Sequence, residues 1–361
     1  MTAPLIISGP HTHSKFSVTE TMIAVMLCLT PATALGFYMF GLPAILLFAV
    51  TIASALLFEA LCLALAARPV GRALSDGSAI LTGWILAMTL PPWAPWWIGT
   101  VGAFIAIVLG KHVYGGLGQN PFNPAMVARA MLLVALPVPM TMWVLPAPLL
   151  SPGAPDLGAA LAITFGTPPA DIDSVSAAST LGHVGAALDG GRTLDRILPE
   201  TFDLHRLFFG NVPGSMGETS ALLLLVGGVF LAAMRIIRLN IPLAVLGSAA
   251  ALSGLLHLID PGQFPSPLWH LSSGALMFCA FFIATDYVTS PVSGVGQLIY
   301  GAGIGLLVVV IRTWGSFPEG VAFAVLLMNA CTPLIDTYTR PRIFGRDRRG
   351  RPLKIDEGDA P

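Results

Sequence analysis

Long apolar stretches, cut by single charges and by proline-glycine clusters, dominate this chain from residue 20 to residue 338. No charged side chain lies between Glu20 and Glu59, Asp76 and Lys111, Arg238 and Asp260, Asp260 and Asp286, or Asp286 and Arg312. A bilayer crossing needs about 20 mainly apolar residues as a helix, so each run has room for one or two crossings. The pattern predicts helical spans at 22–40, 44–66, 78–90, 96–110 and 124–139, then at 219–234, 241–258, 268–285, 295–312 and 318–335. Several are short and bounded by proline, with Pro91-Pro92 closing one and Pro121 to Pro124 opening another. Broken or re-entrant helices fit such punctuation, provided that their freed backbone groups face protein or a polar cavity.

Composition strengthens this picture. Of 361 residues, 55% are hydrophobic and only 10% charged, against about a quarter charged in soluble domains. An ordinary cytosolic enzyme is excluded. Thirty prolines and 38 glycines suit interrupted helices better than straight ones. The N-terminal segment, 1–21, has no long apolar run and is not a cleavable signal peptide. The four cysteines are scattered through apolar runs without metal-binding spacing. Among the histidines only His11 and His13 are close, so no metal is assigned.

Placement of basic residues orients the chain. With the N-terminus in the cytoplasm and ten spans threaded, Lys15, Arg68, Arg72, Lys111, Arg235, Arg238 and the tail from Arg340 to Lys354 all fall inside, thirteen of the eighteen basic residues. Both termini are therefore expected in the cytoplasm of a cell whose inner membrane holds the protein. The domains expected are a segment 1–21, a first five-helix half 22–139, an outer loop 140–218, a second five-helix half 219–335 and a basic tail 336–361. Five is odd, so the halves enter the membrane from opposite sides. An all-α fold of two inverted five-helix repeats follows, a scaffold of the urea-transporter kind, with functional sites expected where the repeats meet. The basic tail reads as topology-setting and in contact with lipid headgroups, not as a nucleic-acid site. No phosphate-binding glycine loop is present, so the chain is not expected to bind NAD or a nucleoside triphosphate.

The outer loop is the most informative polar stretch. It contains Asp173-Ser-Val-Ser-Ala-Ala-Ser-Thr-Leu181, an acid followed by hydroxyls among small residues. Small neighbours let a bulky group approach the backbone, which suits a covalently modified hydroxyl. By composition alone the same stretch reads as a Ser/Thr turn cluster. In the membrane, Asp286 and Glu59 are candidates for an ion path, since intramembrane acids are functional hypotheses by default. Asn120 and Asn123 lie where a helix is broken, able to bind a flavin ring or an ion, or to cap the helix opening at Pro124. Arg129 must pair with an anionic group or snorkel to the inner surface.

The stretch from Asp173 to Leu181 resembles the flavinylation motif Asp-x-x-Ser/Thr-Gly/Ala-Ala-Thr. That motif belongs to the family that holds the RnfD subunit of the Rnf complex and its counterpart in the sodium-pumping NADH:quinone oxidoreductase. Other segments resemble the same family in the same order: Ser8-Gly-Pro-His-Thr-His13, Asp76-Gly-Ser-Ala-Ile-Leu-Thr-Gly83, Leu90-Pro-Pro92, Asn120 to Arg129, Pro213 to Ala221, Ala284 to Pro291 and Asn329 to Thr339. The short N-terminal tail looks more like the Rnf branch. The resemblance implies an electron-transfer subunit with FMN joined through its phosphate to the hydroxyl of the last motif residue by a separate flavin transferase. A non-covalent riboflavin is a second cofactor that the family allows. The implied complex exchanges electrons between ferredoxin and NAD and moves sodium ions or protons. Its other membrane and peripheral subunits, including an outer-side FMN subunit, would be the partners. In strict register the acceptor is Ser179, where the family uses Thr, and a shift of one residue recruits Thr180. Asp173 and Ser176 would help the transferase or its metal to recognise the site. The rival reading is a solute channel on the same scaffold with no redox role.

Overall fold

The computed structural model describes residues 17–166, 176–177, 179–194, 197, 210–315, 317 and 319–340. The first element, α1 (Val18–Leu65), opens on a capping box in which Ser17 and Glu20 bond each other's backbone N–H. Its 48 residues would run about 72 Å if straight, more than twice the ~30 Å hydrocarbon core. The chain bends instead at Gly41, whose φ of 72° and ψ of −159° leave the helical region; glycine adopts such a φ without a Cβ clash. Met22 on one arm lies against Gly77, while Glu59 on the other is joined through Lys111 to Ser78. The two arms therefore return to one end of the molecule, as a hairpin that matches the stretches predicted at 22–40 and 44–66.

A short helix, α2 (Val70–Leu74), leads to α3 (Ser78–Thr89). Asp76 starts α3 by accepting a bond from Ser78 N at 2.7 Å, with Gly77 left-handed between them. Twelve residues cover only about 18 Å, and Pro91-Pro92 then blocks continuation. Next, α4 (Trp96–Phe104) runs directly into a π-helical segment, Ile105–His112. Asn123 caps α5 (Pro124–Ala135), accepting from Ala125 N and Met126 N at 3.1 and 3.3 Å. The segment predicted as an outer loop has structure of its own: α6 (Pro137–Thr141), β1 (Trp143–Val144), α7 (Leu157–Phe165), β2 (Ser176–Ala177) and α8 (Thr180–Asp189).

The second half opens with α9 (Ala221–Ala233) and α10 (Asn240–Ile259). The stretch predicted as one span at 268–285 is broken into α11 (Pro267–Ser272), α12 (Leu276–Phe278) and a second π-helical segment, Cys279–Ile283. Gly274, left-handed at φ 66°, makes the break. Two longer helices follow, α13 (Gly294–Trp314) and α14 (Val321–Tyr338). Four helices, α1, α10, α13 and α14, are long and apolar enough to cross a membrane; α3, α4 with its π-helical extension, α5 and α9 are shorter apolar helices.

One apolar core joins the two halves, from Leu29 and Leu47 to Phe278 and Val325. Close approach at glycine sets much of it. A Cβ on Gly305 of α13 would sit 2.2 Å from the Val245 carbonyl of α10, and one on Gly227 of α9 would sit 2.5 Å from the Cys28 carbonyl of α1. Large apolar side chains remain exposed on several helices, among them Leu27, Leu57, Phe230 and Leu258, as expected where lipid replaces water.

Candidate functional site

Polar residues inside the apolar body fall into three groups, at the Gly41 end, near the middle and at the Glu59 end. The motif segment anchors the first. β2 pairs antiparallel with β1, setting Ala177 opposite Trp143 and Ser176 opposite Val144. Trp143 is buried, and the Arg129 guanidinium lies 5.6 Å from its ring centroid. Ser179 is buried too and caps α8, its Oγ accepting from Gly182 N at 3.1 Å. Thr180 is the first residue of α8. Asp173 lies outside the described residues.

Arg129 finds its anionic partner within the protein. Its Nη2 is 3.6 Å from Glu319 Oε2, both largely buried, and Nη1 approaches Met140 Sδ at 4.0 Å. It therefore neither snorkels nor waits for a lipid. Beside it, Ser215 and Glu218 form a capping box, with the Ser215 hydroxyl donating to the Glu218 carboxylate. Arg312 completes the group, donating to the carbonyls of His270 and Ser273 at 2.9 and 3.0 Å. Those carbonyls are free because the chain breaks at Gly274. A Cβ on Gly274 would meet Arg312, Leu181 and Glu319, so the charged group touches the first turn of α8.

A pocket of about 520 Å³ opens along α8. Leu181, Val184 and Leu188 form one wall; Phe264, Trp269, His270, Arg312 and Trp314 form the other. Three buried nitrogens of these residues, Trp269 Nε1, His270 Nδ1 and Arg312 Nε, have no hydrogen-bond partner. Buried donors without partners are costly, and here they accompany aromatic walls. That chemistry suits a flat aromatic ligand with acceptor atoms on its edge, and the isoalloxazine ring of a flavin has that form.

Near the middle, a narrow cavity of about 110 Å³ lies between the halves, lined by Lys111, Ser78, Asn120, Asn123, Asp286 and Phe282 among others. Asn123 Nδ2 reaches the Ile283 carbonyl at 3.5 Å, so the start of α5 meets the end of the second π-helical segment. Asn120 bonds the Phe122 carbonyl at 3.0 Å. Asp286 accepts from Val288 N at 3.3 Å and Thr289 Oγ1 at 3.1 Å. Ligand pockets usually start near 300 Å³, so this space is sized for water or a small ion. It does not admit a riboflavin ring without movement of its walls.

At the Glu59 end, the Lys111 ammonium donates to Glu59 Oε1 and Ser78 Oγ, both at 2.8 Å. His112 Nε2 stands 3.0 Å from Glu59 Oε2. The angle at that contact is not that of a hydrogen bond, so neither atom is satisfied. A second pocket of about 360 Å³ adjoins them, lined by Glu59, Arg68, Asp76 and His112. Among the described residues no group of three or more His, Cys, Asp or Glu is arranged for a metal.

Sequence reasoning named Glu59, Asn120, Asn123, Arg129 and Asp286 but missed Lys111, His112, Glu319, Arg312 and the tryptophans. Lys111 reads in sequence as a topology signal, yet a cation closing a long apolar run needs a counter-charge, and Glu59 lacks one too. Glu319 lies 190 residues from Arg129 in the chain, and only the fold brings them together.

Similarity to known proteins extends over nearly the whole chain. Residues 5–345 match the NQR2, RnfD, RnfE family. The chain is 54% identical over 339 residues to the RnfD subunit of the ion-translocating oxidoreductase complex of Stutzerimonas stutzeri, covering 94% of this chain and 95% of that one. It is 49% identical over 351 residues to the subunit of the same name from Halorhodospira halophila, with 97% and 98% covered. The Rhodobacter capsulatus subunit of that name is 54% identical over 305 residues, 84% of each chain. With matches of this extent, the chain belongs to the NQR2, RnfD, RnfE family.

Proposed function

We propose that this chain is the electron-carrying membrane subunit of an ion-translocating oxidoreductase complex of the Rnf type. It exchanges electrons between ferredoxin and NAD only together with the other subunits, and FMN is joined by a phosphoester to the outer segment. In this reading the chain crosses the bacterial inner membrane ten times as two inverted halves, with both termini in the cytoplasm. The Gly41 end then faces outward, toward a flavin transferase during assembly and an outer FMN subunit afterwards.

The single observation that carries the reading is the pocket along α8, with three unpartnered buried nitrogens beside the hydroxyl motif. FMN supplies one- and two-electron chemistry that no side chain here offers. The protein's part is placement. β1 and β2 fix the start of the motif against the buried Trp143. The N-terminus of α8 offers free N–H groups and a positive dipole end to a phosphate. Phe264, Trp269 and Trp314 wall the ring, and Trp269, His270 and Arg312 supply donors to its edge. Arg129 and Arg312, balanced by Glu218 and Glu319, set the charge below it. A solute channel would need none of these features, and the names of the relatives weigh against one.

Ser179 is the acceptor that the motif register favours. A phosphoester there would present phosphate oxygens to the same Gly182 N–H that now bonds the hydroxyl. Co-expression with a flavin transferase, followed by flavin fluorescence in denaturing gels, tests this directly. Ser179→Ala should give a dark band and Thr180→Val a bright one. The reverse result assigns Thr180, and fluorescence in both variants and in the double variant would remove the motif from the account.

A further inference from the structure

The group at the Glu59 end has an arrangement that a merely structural ion pair does not need. Four side chains from three helices stand in a line between two water-sized spaces. His112 and Glu59 open on the 360 Å³ pocket, and Lys111 and Ser78 line the central cavity on the other side. The links are His112 Nε2 to Glu59 Oε2 at 3.0 Å, Glu59 Oε1 to Lys111 Nζ at 2.8 Å, and Lys111 Nζ to Ser78 Oγ at 2.8 Å. Lys111 and His112 lie at the end of a π-helical segment, and such segments often accompany function. Lys111 is 2% exposed and Glu59 3%, so neither is held in place by bulk water.

We propose that His112, Glu59 and Lys111 form a proton relay from the cytoplasmic pocket into the central cavity, so that the ion entering the chain at this point is a proton and not sodium. The inference rests on the reading above that the chain serves an ion-translocating complex. It goes further by naming the ion and the route it takes in.

Two features exclude a metal cation. A hard cation needs a shell of several oxygens, as the calcium and magnesium sites of proteins show. The group offers only the two oxygens of Glu59 and that of Ser78, and nitrogens face all three. The ammonium also occupies the place on Glu59 that a cation would take, and it repels any second positive charge nearby. Each of those nitrogens can instead carry a proton. The other charged or titratable groups around the line are Cys62 on α1, Arg68 and Asp76 at the pocket mouth, and Asp286 across the cavity. Arg68 is tied to the Gly115 carbonyl at 3.0 Å and Asp76 caps α3.

The transfer balances. Protonated His112 gives its Nε2 proton to Glu59 Oε2, a contact that a small rotation of the ring converts to a hydrogen bond. Two of the three Lys111 protons bond Glu59 and Ser78; the third passes to water in the central cavity. The neutral amine then takes a proton from Glu59, and His112 is reprotonated by water of the cytoplasmic pocket. One proton has left that pocket, one has entered the cavity, and every group is restored. From there Asn123 and Asp286 lead toward the second half.

The test uses the whole complex in proteoliposomes, in choline buffer free of sodium. Electron transfer and internal pH, from a trapped pH-sensitive dye, are recorded together. Glu59→Gln and His112→Ala should lower proton movement per electron by about a hundredfold, the lower range for losing a proton-transferring group. Added imidazole should restore His112→Ala, because the 360 Å³ pocket has room for it, and should leave Glu59→Gln unchanged. A merely structural histidine would not be rescued. Unchanged proton movement in both variants, failure of imidazole to restore His112→Ala, or transport by the wild type that requires sodium would overturn the relay. Wild-type complex that transfers electrons without moving any ion would instead overturn the translocation reading.

Discussion

Truncating Trp143 separates the hold on the motif segment from the stability of the helical body. The β1–β2 ladder is two residue pairs long, and a two-stranded ribbon is at best marginal alone. Its few backbone bonds contribute about 1 kcal/mol each. Trp143 is 2% exposed and packs under Arg129, so Trp143→Ala should cost about 3–5 kcal/mol through lost burial. A cation–π contact of about 0.5–2 kcal/mol belongs to that loss. The loss exceeds what the ladder can return, so β2 should leave β1 while the core from Leu29 to Val325 remains packed. Trp143→Phe retains most of the burial and should keep the ladder. The assay is in-gel flavin fluorescence beside a thermal melt of the purified protein. Trp143→Ala should lose most of its flavinylation with only a modest drop in the main melting transition, and Trp143→Phe should keep both. Full flavinylation of Trp143→Ala, or loss of the whole fold with it, would refute the idea that Trp143 positions the motif.

Three further outcomes are expected. Arg129→Met should destabilise by about 3–5 kcal/mol, because it strands Glu319 in a buried site; Arg129→Met with Glu319→Gln should recover part of that, measured as a double-mutant cycle in thermal melts. Gly305→Leu should prevent accumulation of folded protein in membranes, since even its Cβ would overlap the Val245 carbonyl and the Ser248 hydroxyl, whereas Gly247→Ala, with open space around it, should accumulate normally on quantitative immunoblots. Trp269→Leu and Trp314→Leu should each leave flavin attachment intact and raise its fluorescence in the folded protein, because aromatic walls quench a stacked ring; no change in either would place the ring elsewhere.

Much of the architecture was legible because apolar runs and proline-glycine breaks report directly on helices in lipid. The stretches at 78–90 and 241–258 fall on α3 and α10, and the break around Pro121 to Pro124 falls where Asn123 caps α5. Hydropathy could not show that 268–285 is interrupted, since Gly274 turns the chain without adding polarity. Nor could it find the structure of the 140–218 segment. The β1–β2 pairing joins residues more than thirty apart and is held by one tryptophan. Site residues divide in the same way. Glu59 and Arg129 stood out as charges in apolar surroundings. Their partners Lys111 and Glu319 were obscured, one resembling an orientation signal and the other a loop acid. The α8 pocket was invisible in sequence, because its walls come from 181–193 and 260–314 and meet only in the fold.

Peptide mass spectrometry on the native complex tests the central claim most directly. The peptide that carries Asp171 to Leu181 should bear the mass of FMN less one water, and fragmentation should place it on Ser179. The same peptide found wholly unmodified, in cells whose flavin transferase modifies a control substrate, would contradict the account.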